Sequence, residues 1–576
     1  MRAQTTCPAT PLYSPCDIVF ELNDAEAAAH PNPYVSVDLR AEFRSPRHRT
    51  YLMPGFWDGG RRMVIRFSPT EAGDWVYRVS GNLQRFDNLA GQLSATAVDN
   101  PALGFIRAAN VHHFAHTDDN KNVPHLWTGE TSYRFAFDDP AAFEQLLETR
   151  SKQKFNHIRG AVLGSPQDAE KVFPKPDRVD PALLRQVDER ILALNRKGII
   201  ADLILAWGKD ELTKRFPTWQ DRERYIRYIV ARYAPMNITW QGVDAFEEYQ
   251  NGRELLKTIG GLLKKHDPYQ HPRSTGALVT SGPLLDDGWM NYITYHSTDD
   301  QIGAIEHQLF PAPAVNVGLD EAVDAETFRR RLWNATMNGQ YPSFPSSQNT
   351  GAIITAWKDF FSDTRHWDLE PYYDVDGGRA LALEEIEYIV YVDKAAQVEV
   401  AVEKHSYDVA WFNPITGEYI KQKKDFKGEK FLGEPPDRKH DWVLRLSREG
   451  KKESMLKSFR FEARSVVLQE VEQSSQKVPF EIAEPANDTI SISKPAPYAA
   501  KLKRESRATR SMMWLWTGDV ATEGQGYRVL GTGPKGTLKI PPEIARRFPA
   551  VLQLRLVGMN ANGKVYSIDK IMQLTQ

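Results

Sequence analysis

The sequence predicts an α/β protein: a central (β/α)8 barrel of the TIM type, flanked by an N-terminal β-sandwich and two C-terminal β-sandwich-like domains. Three observations predict it. Between about residues 111 and 368, short apolar runs alternate with helical patterns, giving eight strand candidates over ~250 residues, the usual size of such a barrel. The stretches before and after alternate apolar and polar residues in period 2, as half-buried strands do. Acidic and basic residues fall just past the apolar runs, where a parallel barrel presents its chemistry. The expected domains are 13–105 (N-terminal sandwich), 111–368 (barrel), 369–472 (C-terminal sandwich) and 478–576 (a further β domain), with 473–477 as a polar linker.

In the first domain, residues 34–39 and 62–67 alternate, separated by Pro54-Gly55 and by the turn cluster 57–60. Trp75, Tyr77 and Val79 share one face of another strand. That pattern reads as a packing module. In the barrel, residues 125–131 end a strand with Glu130, and Asp139-Pro140 caps the helix that follows. Residues 155–159 end a second strand at Arg159; Asp180-Pro181 caps a helix closed by Gly198. Residues 199–208 are a third strand, with Asp202 inside it and Trp207 at its end. The fourth, 237–240, leads into Asp244, Glu247 and Glu248, and a helix with Leu255, Leu256, Ile259, Leu262 and Leu263 stops at Asp267-Pro268. Strands at 271–275, 292–296, 314–318 and 339–344 complete the eight. Beyond Leu369, residues 388–392, 398–402, 409–414 and 440–446 read as sandwich strands, and 513–516 with 552–557 as the core of the last domain.

Composition excludes several classes. The net charge is −2 and the pI about 6.7, so nothing electrostatic favours nucleic acid or an anionic membrane. No run approaches the ~20 apolar residues of a membrane span. Cys7 and Cys16 are spaced to close a small loop disulfide and too few for a metal site. No cofactor is expected. The N-terminus lacks an apolar signal core, yet Ala3-Gln4 resembles the start of a mature exported protein. Periplasmic or extracellular residence and a cytoplasmic one both stay open.

Three blocks resemble glycoside-hydrolase-like proteins of the cellulase superfamily (clan A), which carry an N-terminal β-sandwich, a barrel and a C-terminal "collagen-binding" type sandwich. The first is Phe67-Ser-Pro-Thr-Glu-Ala-Gly73-Asp-Trp75-Val-Tyr77. The second is the barrel, above all residues 201–205, the 237–240 strand with its acidic loop, and 332–341. The third is residues 402–414 with His440-Asp-Trp442. The resemblance covers roughly residues 15 to 470. It implies a carbohydrate substrate and two glutamates, an acid/base after strand 4 and a nucleophile ending strand 7. Here the strand-4 motif reads Trp240-Gln-Gly-Val-Asp244-Ala245, with Ala at the Glu position, and strand 7 reads Asn316-Val317-Gly318, with Gly. Neither family carboxylate is in place. Arg159 matches the arginine that contacts the nucleophile, Tyr295 or His296 the strand-6 residue beside it, and Trp357 a sugar platform.

Glycoside hydrolysis needs one carboxyl to give a proton and one to attack or to activate water. Glu247, beside Phe246, is the expected acid; the competing reading is a helix-start charge. Asp244 is expected to take part with it or to bind a sugar hydroxyl, against a turn-forming role. Asp320 and Glu321 are candidate nucleophile or base if their loop doubles back. Glu130 and Trp207 are candidate substrate contacts, and Asp202 a structural acid. His112, His113 and His116 read as a solvated linker, with no metal. The function expected is glycoside hydrolysis of a complex poly- or oligosaccharide. The alternative is an inactive barrel kept for carbohydrate binding or scaffolding, and lyase or transferase chemistry is a third reading.

Overall fold

Period-2 stretches and capped helices take up, in the computed structural model, the two kinds of element their patterns imply. The structure describes residues 4–5, 9–100, 104–117, 122–318, 323–343, 350–448, 478–503, 511–517, 527–538, 540 and 551–575. The chain divides into two units: Met1–Ala108 with Phe114–Ala277 and Asp287–Tyr292, and Ala109–His113 with Leu278–Asp286 and Ile293–Gln576.

The first unit begins with two sheets. Cys16–Glu21 pairs antiparallel with Arg62–Phe67, and Leu39–Arg44 and Ala90–Thr96 flank Gly73–Gly81. Trp75, Tyr77 and Val79 are buried on one face of Gly73–Gly81, and Phe43 stacks on Phe67 at 4.0 Å. Residues 34–39 are a correction. Pro33–Ser36 is a single helical turn with proline at its start, where its fixed φ and missing N–H suit a helix, and the strand begins only at Leu39. Cys16 is disulfide-bonded; Cys7 lies outside the described residues.

The barrel strands of this unit are β1 (Gly129–Thr131), β2 (His157–Ala161), β3 (Ile200–Ala206), β4 (Ile238–Val243) and β5 (Arg273–Ser274), hydrogen-bonded in that order and parallel throughout. They are connected by α1 (Pro140–Lys152), α2 (Pro181–Arg196), α3 (Trp219–Tyr233) and α4 (Gly252–His266). The caps are where the sequence puts them: Asp139 accepts from Ala141 N and Asp180 from Ala182 N, each at 2.9 Å. Every residue of β3 and β4 is buried, as expected for strands covered on both faces.

In the second unit β6 (Ile293–Tyr295), β7 (Ala314–Asn316) and β8 (Gln340–Pro342) are again parallel, with α5 (Asp300–Leu309), α6 (Ala325–Thr336) and α7 (Gly351–Ser362). Between β5 and β6 stands a 3-10 helix, Gly282–Asp287, in place of an α-helix. Five parallel strands in the first unit and three in the second, alternating with helices along the chain, give the strand count and order of a (β/α)8 fold. Beyond the barrel the unit carries β-sandwich-like sheets. The two strands expected at 398–402 and 409–414 are one, Val398–Phe412, with a register shift between Ala401 and His405. It packs Val400, Tyr407 and Trp411 against Tyr388, Trp442 and Leu444. The last sheets bury Trp514, Trp516, Leu552 and Leu554; the linker at 473–477 lies outside the described residues.

Candidate active site

Parallel register places Arg159 of β2, Asp202 of β3 and Thr239 of β4 side by side. Asp202 is fully buried and accepts from Thr239 Oγ1 at 2.7 Å, Tyr292 Oη at 3.0 Å and Gln241 Nε2 at 3.1 Å. Burial pushes its carboxyl up, against the Arg159 charge and these three donors. It is a structural acid, as expected. Arg159 is 1% exposed, with Nε 4.0 Å from Asp202. Its far end reaches Asp244, just past β4, through Nη2 at 3.2 Å, and Tyr133, two residues past β1, through Nη1 at 3.4 Å. Tyr133 in turn donates to Asp244 Oδ1 at 2.9 Å. Burial pulls the guanidinium down, but Tyr133, Asp244 and Asp202 together hold it above its ordinary value.

The buried cation thus ends on a carboxylate with 26% of its side chain open to solvent. Beside it, Trp207 stacks on Tyr133 with ring centres 4.5 Å apart and planes 12° apart. Fixed carboxylate, two donors and a partly exposed aromatic pair lie at the C-terminal ends of adjacent strands. This arrangement can seat a polar, ring-shaped ligand and present it with a negative charge. Glu247 lies three residues further on, in the 3-10 turn Phe246–Glu248, half-buried beside buried Phe246.

The other expected site residues fare differently. Glu130 is turned to α1, where it is buried and ion-paired with Arg150, one contact being Nη2 to Oε1 at 3.1 Å. In a parallel strand alternate residues face the helices, so this acid ties α1 to β1. Tyr295 has the same parity on β6. It is buried and donates to Glu306 of α5 at 2.5 Å. His296, the next residue, is exposed. Trp357 is 1% exposed inside α7 and donates to Thr336 Oγ1 at 3.0 Å; a covered ring offers no platform to a sugar. Asp320 and Glu321 lie outside the described residues.

At Gly318 a Cβ would meet His296 Cδ2 at 2.5 Å and its carbonyl carbon at 2.9 Å. The position where the resemblance expects a carboxylate has no room for a side chain unless His296 moves. Asn316 is occupied as well, accepting from Gly318 N and donating to Ser297 O and Gln340 Oε1. The solvated-linker reading fails for the histidines. His112 and His113 are 4% and 5% exposed, and His116 bonds Gly104 O and His125. Tyr133 was not anticipated; its only signal in the sequence is an aromatic hydroxyl two residues past a strand end.

The parallel strands with charged ends, preceded and followed in sequence by β-sandwich-like sheets, give a fold similar to that of multidomain glycoside-hydrolase-like proteins. Residues 109–340 match the family described as "Apiosidase-like, catalytic domain", and residues 10–82 match a domain of unknown function (DUF5060). A candidate glycoside hydrolase from Bacteroides vulgatus is similar in structure at 18% identity and a TM-score of 0.65, over 76% of this chain and 99% of that one. A glycoside hydrolase family 5 protein of the same organism aligns at 13% identity and a TM-score of 0.51, over 60% and 93%. A third structure, described as a glycoside hydrolase, aligns at 14% and 0.52, over 60% and 98%. At such identities the likeness bears on the fold. No curated protein matches.

Proposed function

We propose that the protein hydrolyses glycosidic bonds in a complex poly- or oligosaccharide at the Arg159–Asp244–Tyr133 cluster. The observation that carries this reading is Asp244, held by a buried guanidinium and a phenol at the end of β4. A carboxylate fixed by donors suits the charged partner of the reaction, which attacks the anomeric carbon or activates water there. Glu247, on the same loop, gives the proton to the leaving oxygen. Trp207 and Tyr133 offer the sugar ring a stacking surface. No step of this scheme draws on Gly318, so it accounts for hydrolysis without the family nucleophile.

The test is product chromatography on a broad glycan panel, headed by apiose-bearing glycans because of the matched family's name. Wild type runs beside Asp244→Asn and Glu247→Gln. Turnover by wild type, lost in Asp244→Asn with the fold intact by circular dichroism, is the expected result. Gly318 favours a second reading, a barrel that binds carbohydrate without cleaving it. Equal sugar binding by all three proteins with no products would establish that instead.

The disulfide at Cys16 supports export, since such bonds persist in oxidising compartments. Cell fractionation with N-terminal sequencing tests it; full-length protein in the cytoplasm would sink it.

A further inference from the structure

Four side chains from three stretches of the second unit gather around Glu370. His112 precedes the strand His113–Thr117, His307 is in the last turn of α5, and Glu370 opens the strand Glu370–Tyr372 just after the barrel. Glu370 Oε2 lies 3.0 Å from His112 Nδ1 and 3.1 Å from His307 Nε2, and Oε1 lies 3.4 Å from His113 Nε2. The three imidazoles are all at least nine-tenths covered.

The hydrogen bonds on the far sides of the rings decide what these nitrogens can be. His112 Nε2 lies 3.1 Å from the carbonyl oxygen of Phe310. That oxygen only accepts, so Nε2 carries the hydrogen and a neutral His112 points the lone pair of Nδ1 at the carboxylate. Two lone pairs 3.0 Å apart call for a cation between them. Among the described residues the Nε2 atoms of His113 and His307 are buried and make no well-aligned hydrogen bond, although both face Glu370, at 3.4 and 3.1 Å. A proton on His112 would satisfy one nitrogen and leave the buried Nε2 of His307 unanswered. A single metal ion answers both.

We propose that His112, His307 and Glu370 bind one divalent transition-metal ion of the zinc class, with His113 beside the site, 3.4 Å from Glu370. The candidate ligand atoms of His112, His307 and Glu370 lie within 4.8 Å of one another. Metal–ligand bonds of ~2.0–2.1 Å in a tetrahedron set neighbouring ligand atoms about 3.3 Å apart, close to the nitrogen–oxygen separations found. Imidazole and carboxylate donors suit zinc rather than calcium or magnesium, which take oxygen ligands.

Ligating histidines fix their rings by donating the second N–H to an oxygen, and acceptors stand in place. Phe310 O serves His112, and the Tyr341 hydroxyl, 2.7 Å from Nδ1, holds His113 beside the site. The Gln308 amide lies 3.3 Å from His307 Nδ1 and 2.9 Å from the Tyr373 hydroxyl. Turned over, its oxygen accepts from both. Gly339 completes the cradle: a Cβ there would fall 2.7 Å from His307 Nε2.

Full-length protein without a histidine tag is stripped with a chelator, dialysed against micromolar zinc chloride and assayed for metal by mass spectrometry. The expected content is about one zinc per chain, falling several-fold in Glu370→Gln and His307→Gln. Zinc is expected to raise the melting temperature of stripped wild type by at least ~3 °C, where magnesium and calcium do not. If the variants do not fold, cobalt added to stripped wild type gives the deciding readout. The strong visible absorption of four-coordinate cobalt supports the site, and the weak spectrum of six-coordinate cobalt overturns it. Wild type retaining under ~0.1 zinc, or variants retaining as much as wild type, would also overturn it.

Discussion

Two arginine clusters of the first unit use the same chemistry for opposite ends. Arg66 and Arg232, 8% and 0% exposed, share Asp188, itself 8% exposed; Arg232 grips it through Nε at 2.7 Å and Nη2 at 2.8 Å, and Arg66 joins at 3.1 Å. Arg66 belongs to the N-terminal sheets and Arg232 to α3, and each also has a second acid, Asp17 or Asp58. This cluster fastens a sandwich to the barrel. Arg159 is buried as deeply, and the outer acids are alike too: Asp17 of the anchor is 24% open to solvent and Asp244 26%. Neither the burial of the cation nor the exposure of its acid distinguishes an anchor from a site. Position does: Asp244 lies just past β4, bonded to Tyr133, which stacks on Trp207.

The comparison breaks first at Asp244. With the proposed hydrolysis, Asp244→Asn is expected to lower kcat/KM by about 10³-fold or more and to leave the melting temperature near that of wild type. A large thermal loss in that variant would make Asp244 another anchor. The opposite pattern is expected at Asp188→Ala, which removes the acid two buried guanidiniums share and leaves each with one. Its cost is roughly 3–5 kcal/mol of stability by denaturant titration, with turnover per folded molecule unchanged. Arg159→Lys keeps the charge but loses the fork that reaches Tyr133 and Asp244 together. A fall in kcat of about tenfold, without the thermal loss of Asp188→Ala, would separate the clusters again. Trp207→Ala should act on KM more than on kcat, by several-fold for the lost stacking, measured by initial rates.

What the sequence makes legible follows from local rules. Asp139-Pro140 and Asp180-Pro181 start helices because cap and proline act within one turn. Arg159, Asp202 and Asp244 sit at or near strand ends because a strand's end is a local event too. Side-chain direction is not local. Glu130 and Tyr295 read as strand-end candidates, but one position of parity sends them to Arg150 and Glu306 on the helices. Parity depends on register with neighbouring strands, which a single run of residues does not contain. Trp357 is hidden by the packing of α7, and the period-2 pattern of 34–39 yields to Pro33 at a helix start. Tyr133 and the Glu370 cluster escape for one reason: their partners lie 26 to 258 positions away in sequence.

The smallest effect expected comes from half-buried groups in which desolvation outweighs the nearby opposite charge, and it sharpens the rule by which partners decide charge. Burial, reinforced by the Lys265 and Arg227 charges, pulls His266 from its ordinary 6.5 to about 4. Between pH 6.5 and 4 the unfolded chain holds a proton there that the folded chain refuses, so stability falls as pH falls through that window. Asp300, at the start of α5, has the opposite sign. Burial raises it from 3.8 to about 6, against Arg379 at 3.4 Å and with Asp299 and Asp393 adding to the rise. Its folded form binds the extra proton between 3.8 and 6, and its contribution is lost as pH rises through 6. Melting curves from pH 4 to 7.5 distinguish the two. Relative to wild type, His266→Gln should gain most near pH 4.5 and Asp300→Asn most near pH 7. Variants whose differences from wild type do not change with pH would show that partners, more than burial, set the charge at these two positions as well.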